Sequence, residues 1–402
     1  MTAHTPLAVR LVRLACSLAL GLVAGALCGL GSFVFLALLE RATAYRVAHE
    51  PIVFALPLAG LAMGFAYERF GADVKAGTNA VIDRLAEGGA PLPLRMAPMV
   101  LLGTVTTHLF GGSAGREGTA VQMGASLADF VAQRLGLTAA RRYEMLVAGV
   151  AGGFGSVFGT PLAGAVFALE FVRARQVSLR AAVPAVVAAV SGDALAQRLG
   201  VTHAHYTPVE VASWGGTRPL RWLIVAVAVA GAAMLFVDLL HAVKKRAEAL
   251  LPRLPVRMFV GGVLVVTLWR VFGTGVYLGL SDGLVARALV DREVPLFAWA
   301  LKLVFTALTL GVGFVGGEVT PLFVVGATLG NTLARTLALP LELTVAVCFA
   351  SVFGVAARAP LALAVMAGEV FGVGVLPLVF AVSVVAAALT GSRTIYGSQR
   401  DG

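Results

Sequence analysis

The stretch GGSAGREGTAVQMGAS, residues 111–126, sets an Arg-Glu pair, Arg116-Glu117, inside a glycine-rich break between apolar segments. A charge within hydrophobic sequence is costly unless it is paired or used. A second stretch repeats the arrangement. GREGT at 115–119 and GGEVT at 316–320 align with an offset of 201, and each enters an apolar segment that reaches a Gly-Ala, at Gly124-Ala125 and Gly326-Ala327.

Outward from these loops the correspondence continues. SVFGTPLAGAVFALE (156–170) faces SVFGVAARAPLALAVMAGE (351–369), and in both a Pro-Leu is followed by a glutamate nine residues after the proline, Pro161 to Glu170 and Pro360 to Glu369. The long apolar span 14–39 has a counterpart at 222–243. Order and spacing therefore describe two repeats, 1–200 and 215–402, joined by the polar stretch VTHAHYTPVEVASWGGTRPLR. Arg10 and Arg13 precede the first of these spans, whereas Lys244-Lys245-Arg246 follows the second, which fits repeats of opposite orientation. Arg218 and Arg221 weaken that contrast.

Composition sets the class. Of 402 residues 59% are hydrophobic and 13% charged, which excludes an ordinary soluble globule. The uncharged runs 14–39, 145–169 and 370–392 each exceed the roughly 20 residues a membrane-crossing helix needs. Shorter runs, 52–67, 118–128, 271–281, 303–317 and 359–368, are punctuated by 47 glycines and 17 prolines. Broken apolar segments of this kind predict re-entrant helices around a protected cavity, hence a transporter or channel. The expected fold is an all-α polytopic membrane protein with two inverted repeats.

The net charge of +10 reads as cytoplasmic loop decoration at Arg10, Arg13, Arg141-Arg142, Arg173, Arg175 and Lys244-Lys245-Arg246, or as a field that draws anions inward. These charges end apolar segments and form no stripe for nucleic acid. Cys16, Cys28 and Cys348 lie in apolar runs and read as core residues outside any disulfide. His203 and His205 sit in the polar joint without carboxylate or cysteine neighbours in the sequence, the pattern of solvated histidines and not of a metal site.

The glycine-rich loops carry the chemistry. Free N–H groups and the positive end of a helix bind anions without a cationic side chain. Gly115-Arg116-Glu117-Gly118-Thr119, Gly316-Gly317-Glu318-Val319-Thr320-Pro321 and Lys75-Ala76-Gly77-Thr78-Asn79 are three such starts. Aimed at one point, they make a midplane anion site. Glu117 in its charged form competes with the anion for donors, and in its protonated form withdraws and carries a proton. It reads as gate and proton carrier, or as a helix cap, and a closed gate is also a cap. Arg116 reads as a structural residue that points away from Glu117 and ties its loop to a carboxylate or to carbonyls, or else as part of the ion path. Gly111–Gly115 also matches G-x-S-x-G, the nucleophile elbow of hydrolases, with His108 nearby but no acid partner in view.

GREGT with VQMGAS, VFGTPLAGAVFALE, GGEVTPLF and the terminal Ile395-Tyr396 resemble the CLC family of anion channels and anion/proton antiporters over nearly the whole chain. The resemblance implies a homodimer with a separate anion path in each subunit. It sets Glu117 on the gating glutamate and Tyr396 on the tyrosine that touches the anion. It also implies no cytoplasmic regulatory domain after Tyr396. Chloride-handling relatives carry Gly-Ser-Gly-Ile-Pro where this chain has Gly77-Thr78-Asn79. They have an apolar residue where it has Glu318, and bacterial chloride/proton antiporters have a glutamate where it has Phe171. These departures are similar to the fluoride-exporting branch. The reading is therefore a fluoride/proton antiporter of the bacterial inner membrane, without cofactor or metal, in which Glu117 and Glu318 gate and carry protons. Gly77, Thr78, Asn79, Gly115, Arg116, Gly118, Thr119, Val319, Thr320 and Tyr396 are its anion-binding candidates. A chloride channel or chloride/proton antiporter of the same fold, and more remotely an intramembrane hydrolase, stay open.

Overall fold

The structure, a computed structural model, describes residues 7–171, 179–204, 206–210, 219–290 and 294–399. Arg173, Arg175, His205 and Arg218, named above, lie outside these residues. Eight helices precede the joint: α1 (Leu7–Ala48), α2 (Leu56–Phe70), α3 (Thr78–Glu87), α4 (Met96–Leu109), α5 (Glu117–Arg134), α6 (Ala139–Phe158), α7 (Pro161–Glu170) and α8 (Ala182–Arg198). Eight follow it: α9 (Pro219–Leu250), α10 (Leu254–Phe272), α11 (Asp282–Val290), α12 (Ala298–Gly311), α13 (Val319–Leu337), α14 (Leu341–Ala356), α15 (Pro360–Phe371) and α16 (Leu376–Thr390). The all-α expectation holds among the described residues, where the only extended pairing is a single antiparallel bridge between Gly115 and Gly317.

Packing repeats with the order. α1 lies on α8 as α9 lies on α16, and α5 on α6 as α13 on α14. Across the two sets, α2 packs on α10 and α7 on α15. The α5–α6 contact depends on absent side chains: a Cβ on Gly124 would stand 2.3 Å from the Gly149 carbonyl oxygen, and one on Gly149 2.5 Å from that of Gly124. Small residues bring the backbones close, the usual device where lipid supplies no hydrophobic drive between helices.

Among the described residues five helices are long and apolar enough to cross a membrane: Leu7–Ala48, Glu50–Phe70, Pro219–Leu250, Leu254–Phe272 and Val373–Thr390. α1 is about 60 Å long at 1.5 Å per residue, twice the hydrocarbon thickness. Two expectations change. The run 145–169 is not one span, because Gly159 (φ +73°) and Thr160 break it into α6 and α7. Likewise Gly372 (φ +95°) separates α15 from α16, so the run 370–392 starts in one helix and continues in the next. α10 escaped the search for uncharged runs because Arg257 and Arg270 sit near its ends.

One face collects cations. Arg141 at the start of α6 reaches the Arg13 carbonyl oxygen near the start of α1 (3.3 Å), and Arg142 reaches the Gly89 carbonyl oxygen (2.7 Å). Glu68, late in α2, accepts from the Leu254 N–H at the start of α10, and Glu248, late in α9, lies 3.8 Å from Arg257. α1 therefore starts on the basic side, where α9 ends, and the two run in opposite directions. By the positive-inside rule a basic face of this kind is the one expected on the cytoplasmic side.

Cys28 and Cys348 are buried as expected, but Cys16 is exposed on the flank of α1. His203 also departs from the sequence reading. Its side chain is 7% exposed and its Nε2 stands 3.2 Å from Asp193 of α8. Gly159 leaves room for it, since a Cβ there would meet the His203 ring at 2.5 Å.

Candidate functional site

The two glycine-rich loops meet back to back. The Gly115 N–H donates to the Gly317 carbonyl oxygen (2.6 Å) and the Gly317 N–H to that of Gly115 (2.9 Å). From this exchange α5 starts at Glu117 and α13 at Val319, so both helix N-termini face one region. Glu117 is fully buried and its carboxylate crosses to the other repeat. It accepts the Thr320 N–H (3.1 Å) and the Thr320 hydroxyl, together with the Arg116 N–H (3.2 Å), and the Arg116 Nε lies 3.4 Å away. A carboxylate with these donors is a stable plug at the meeting of two helix ends.

Below it is a narrow gap lined by Thr78, Glu117, Gly118, Val121, Phe154, Phe167, Phe171, Val319 and Tyr396, too tight for a water-sized sphere. Gly118 sits at the crowded point, where a Cβ would stand 3.7 Å from both the Glu318 carboxylate and the Thr78 hydroxyl. The two helix starts and that of α3 thus converge as expected. Gly77, with φ +55°, turns the chain so that α3 begins at Thr78. Tyr396 is 3% exposed, and its ring meets Phe171 at 5.4 Å in a T-shaped contact. Glu318 caps no N–H of α13 with its side chain.

Three candidates are placed elsewhere. The Asn79 side-chain oxygen accepts the Ser398 N–H (3.1 Å) and ties the C-terminal turn to α3, away from the gap. Thr119 faces α4, its hydroxyl 2.6 Å from that of Thr104, because the second residue after Glu117 has turned to the far side of α5. Arg116 does not point away from Glu117 but pairs with it, and its outer part lines a cavity. Ser113 of the G-x-S-x-G match is held in a buried polar network. Its hydroxyl is engaged by Thr306 (2.9 Å) and by Lys302 (2.9 Å), and both ring nitrogens of His108 lie against backbone carbonyl oxygens, of Thr104 (2.8 Å) and Ala114 (3.0 Å).

Other participants went unread in the sequence. Gln122, one turn into α5, donates to the Thr78 hydroxyl (3.1 Å). A polar residue spaced five from Glu117 on an otherwise small and apolar helix was the available signal. Phe154 and Phe167 stack at 4.5 Å and wall the gap with Phe171, and among 22 phenylalanines nothing local marked them. The Pro–Glu spacing now has its cause. Glu170 accepts the Leu361 and Ala362 N–H groups (3.1 and 2.7 Å), and Glu369 accepts those of Leu162 and Ala163 (2.9 and 2.8 Å). Each short helix starts at a proline and is capped by the last residue or last turn of its counterpart, which requires an antiparallel α7–α15 pair.

Known proteins share this arrangement. A chloride/fluoride channel protein of Pseudomonas syringae pv. tomato is 41% identical over 393 residues, covering 95% of this chain and 85% of its own. A CLC-type fluoride/proton antiporter of known structure superposes with a TM-score of 0.91 at 33% identity, covering 98% of this chain and 99% of its own. A slow cyanobacterial chloride/proton antiporter shares the fold, with a TM-score of 0.82 at 19% identity over 95% and 96% of the two chains. The family model for voltage gated chloride channels matches residues 59–391, and the chain therefore belongs to that family, the CLC proteins.

Proposed function

We propose that the protein exports fluoride from a bacterial cell in exchange for protons, as a homodimer in the cytoplasmic membrane. The observation that carries the reading is the buried Glu117 carboxylate on Thr320, with Glu318 beside Gly118. Similarity to a fluoride/proton antiporter over the full chain supports it. The two repeats, 1–200 and 215–402, supply one helix start each to the gate.

Charged Glu117 occupies donors that an incoming anion needs. Protonated, it loses its attraction for the Thr320 N–H and for Arg116, and it leaves. Fluoride, a small and strong hydrogen-bond acceptor, then competes well for hydroxyls at Thr78, Thr320 and Tyr396 and for the helix-end N–H groups of Gly118 and Val319. Glu318 relays the proton, because the Phe171 ring cannot.

Fluoride and chloride efflux from liposomes holding the purified protein, with proton uptake recorded in parallel, tests the reading. Fluoride efflux matched by proton uptake is expected, with chloride much slower. Equal chloride flux, or flux without protons, returns the protein to the second reading, a chloride channel or antiporter of the same fold.

A further inference from the structure

On the side opposite the basic face, a cavity of about 420 Å³ opens between α1, residues 200–202 and the start of α11. Glu40 and Thr43 of α1 and Asp282 of α11 line it, as does Arg116. Both carboxylates are exposed, whereas Glu117 is fully buried. Arg116, a quarter exposed and 3.4 Å from Glu117, is therefore where the cavity meets the gate. Its Nε makes no hydrogen bond, so the contact with Glu117 is one of charge and is free to break when that charge is lost.

The wall that bears Asp282 is held in place. Lys302 of α12, buried without exposure, donates to the Ser113 hydroxyl (2.9 Å), to the Gly279 carbonyl oxygen (2.7 Å) and to the Ser281 hydroxyl (2.9 Å). Ser281, next to Asp282, has a φ of +66°, a conformation a non-glycine residue keeps only when its surroundings impose it. One ammonium group thus ties the Asp282 segment to the loop that carries Arg116. Arg46, His108 and Tyr277 also lie behind this wall, Arg287 of α11 lies near Tyr277, and Tyr206 lies near both Asp282 and Arg116.

We propose that this cavity is the outer proton port of the transporter, with Glu40 and Asp282 collecting protons for Glu117 and Lys302 positioning the Asp282 wall. The inference rests on the antiport reading of Glu117. A cleft with negative charge concentrates cations, protons included, and slows the return of an expelled anion. The proton passes from bulk water to a carboxylate oxygen of Glu40 or Asp282, and then through cavity water to a carboxylate oxygen of Glu117. Arg116, released from Glu117, still faces the two vestibule carboxylates. No other bond changes.

The test compares wild type with the double variant Glu40→Gln/Asp282→Asn in liposomes loaded with fluoride, at symmetric pH 7.5 and pH 5.5. Proton uptake by the double variant is expected to be about fivefold slower at pH 7.5 and close to wild type at pH 5.5, where protons need no collecting. The proton-to-fluoride ratio stays unchanged, and Lys302→Met shares the pH 7.5 deficit while Lys302→Arg keeps most of the rate. Wild-type rates at both pH values overturn the proposal, as does an equal loss at both, which marks a structural role. If Lys302→Met does not fold, the double variant alone decides. Fluoride flux without proton uptake in the wild type overturns the antiport reading instead.

Discussion

At the scale of single residues, the hydrogen bonds between Glu117 and Thr320 are the contact on which the proposed gate turns. Thr320 contributes both a backbone N–H and a hydroxyl to the Glu117 carboxylate. Thr320→Val removes the hydroxyl, a hydrogen bond to a charged group worth roughly 1.5–3 kcal/mol. The gate should open more readily, and passive fluoride leak should rise at least tenfold in an efflux assay. Glu117→Gln keeps the shape without the titration, so fluoride should pass while uphill proton movement falls to the level of protein-free liposomes. Glu318 makes no side-chain cap, so its removal leaves α13 intact. Glu318→Ala should lower stability by less than the ~1 kcal/mol of a true cap, yet depress fluoride transport and its proton coupling. A melting shift with normal transport would assign Glu318 to the helix instead. Arg116→Ala should give normally folded protein with an altered gate, because the side chain pairs with Glu117 and with no distant carbonyl.

At the scale of elements, the short helices are held by each other. Glu170 and Glu369 satisfy the first free N–H groups of α15 and α7, and the prolines at the first position have no N–H to satisfy. Each cap accounts for about 1–2 kcal/mol. Glu170→Gln and Glu369→Gln should each lower the unfolding midpoint in detergent, and Ala at either site should lower it further. Since α7 and the residue that follows it carry Phe167 and Phe171 into the wall of the gap, a shift of that helix is also a shift of the proposed ion path. Midpoints equal to wild type for both Ala variants would refute the mutual cap. Phe171 shows the limit of exchange with relatives that carry a glutamate there. It is fully buried between Phe167 (5.0 Å) and Tyr396 (5.4 Å). Phe171→Glu should destabilise the fold by several kcal/mol and should not restore coupling to Glu318→Ala.

At the scale of the molecule, the architecture brings two helix ends together by running one half of the chain against the other. The exchange of hydrogen bonds between Gly115 and Gly317 is one of the points where the halves touch, with the α2–α10 and α7–α15 contacts. Neither half alone makes the proposed gate, because Glu117 comes from one and Thr320 from the other. The exposed apolar residues Leu162 of α7 and Leu361 of α15 flank the crossed caps, and the proposed homodimer or lipid covers them. Equilibrium sedimentation in detergent distinguishes the two, with a mass of two chains expected.

Membrane class, helical content, the duplicated loops and the Pro–Glu spacing are one-dimensional properties, and the chain states them. Hydrophobic run length reports the solvent, and glycine and proline report where helices stop, because both act on their own stretch of backbone. The break at Gly159 inside an uncharged run escaped for the opposite reason. A membrane interior tolerates either a continuous helix or a broken one, and only packing against His203 and α15 selects between them. Asn79 and Thr119 belonged to the right segments but to the wrong faces, since segment identity is local and side-chain direction depends on neighbours over 300 residues away or on the turn of one helix. The pairing of Glu117 with Thr320, the crossed caps and the seat of Lys302 join residues about 190 to 210 apart. Such contacts exist only when distant segments pack, so composition and spacing name the participants while the tertiary fold alone decides which of them touch.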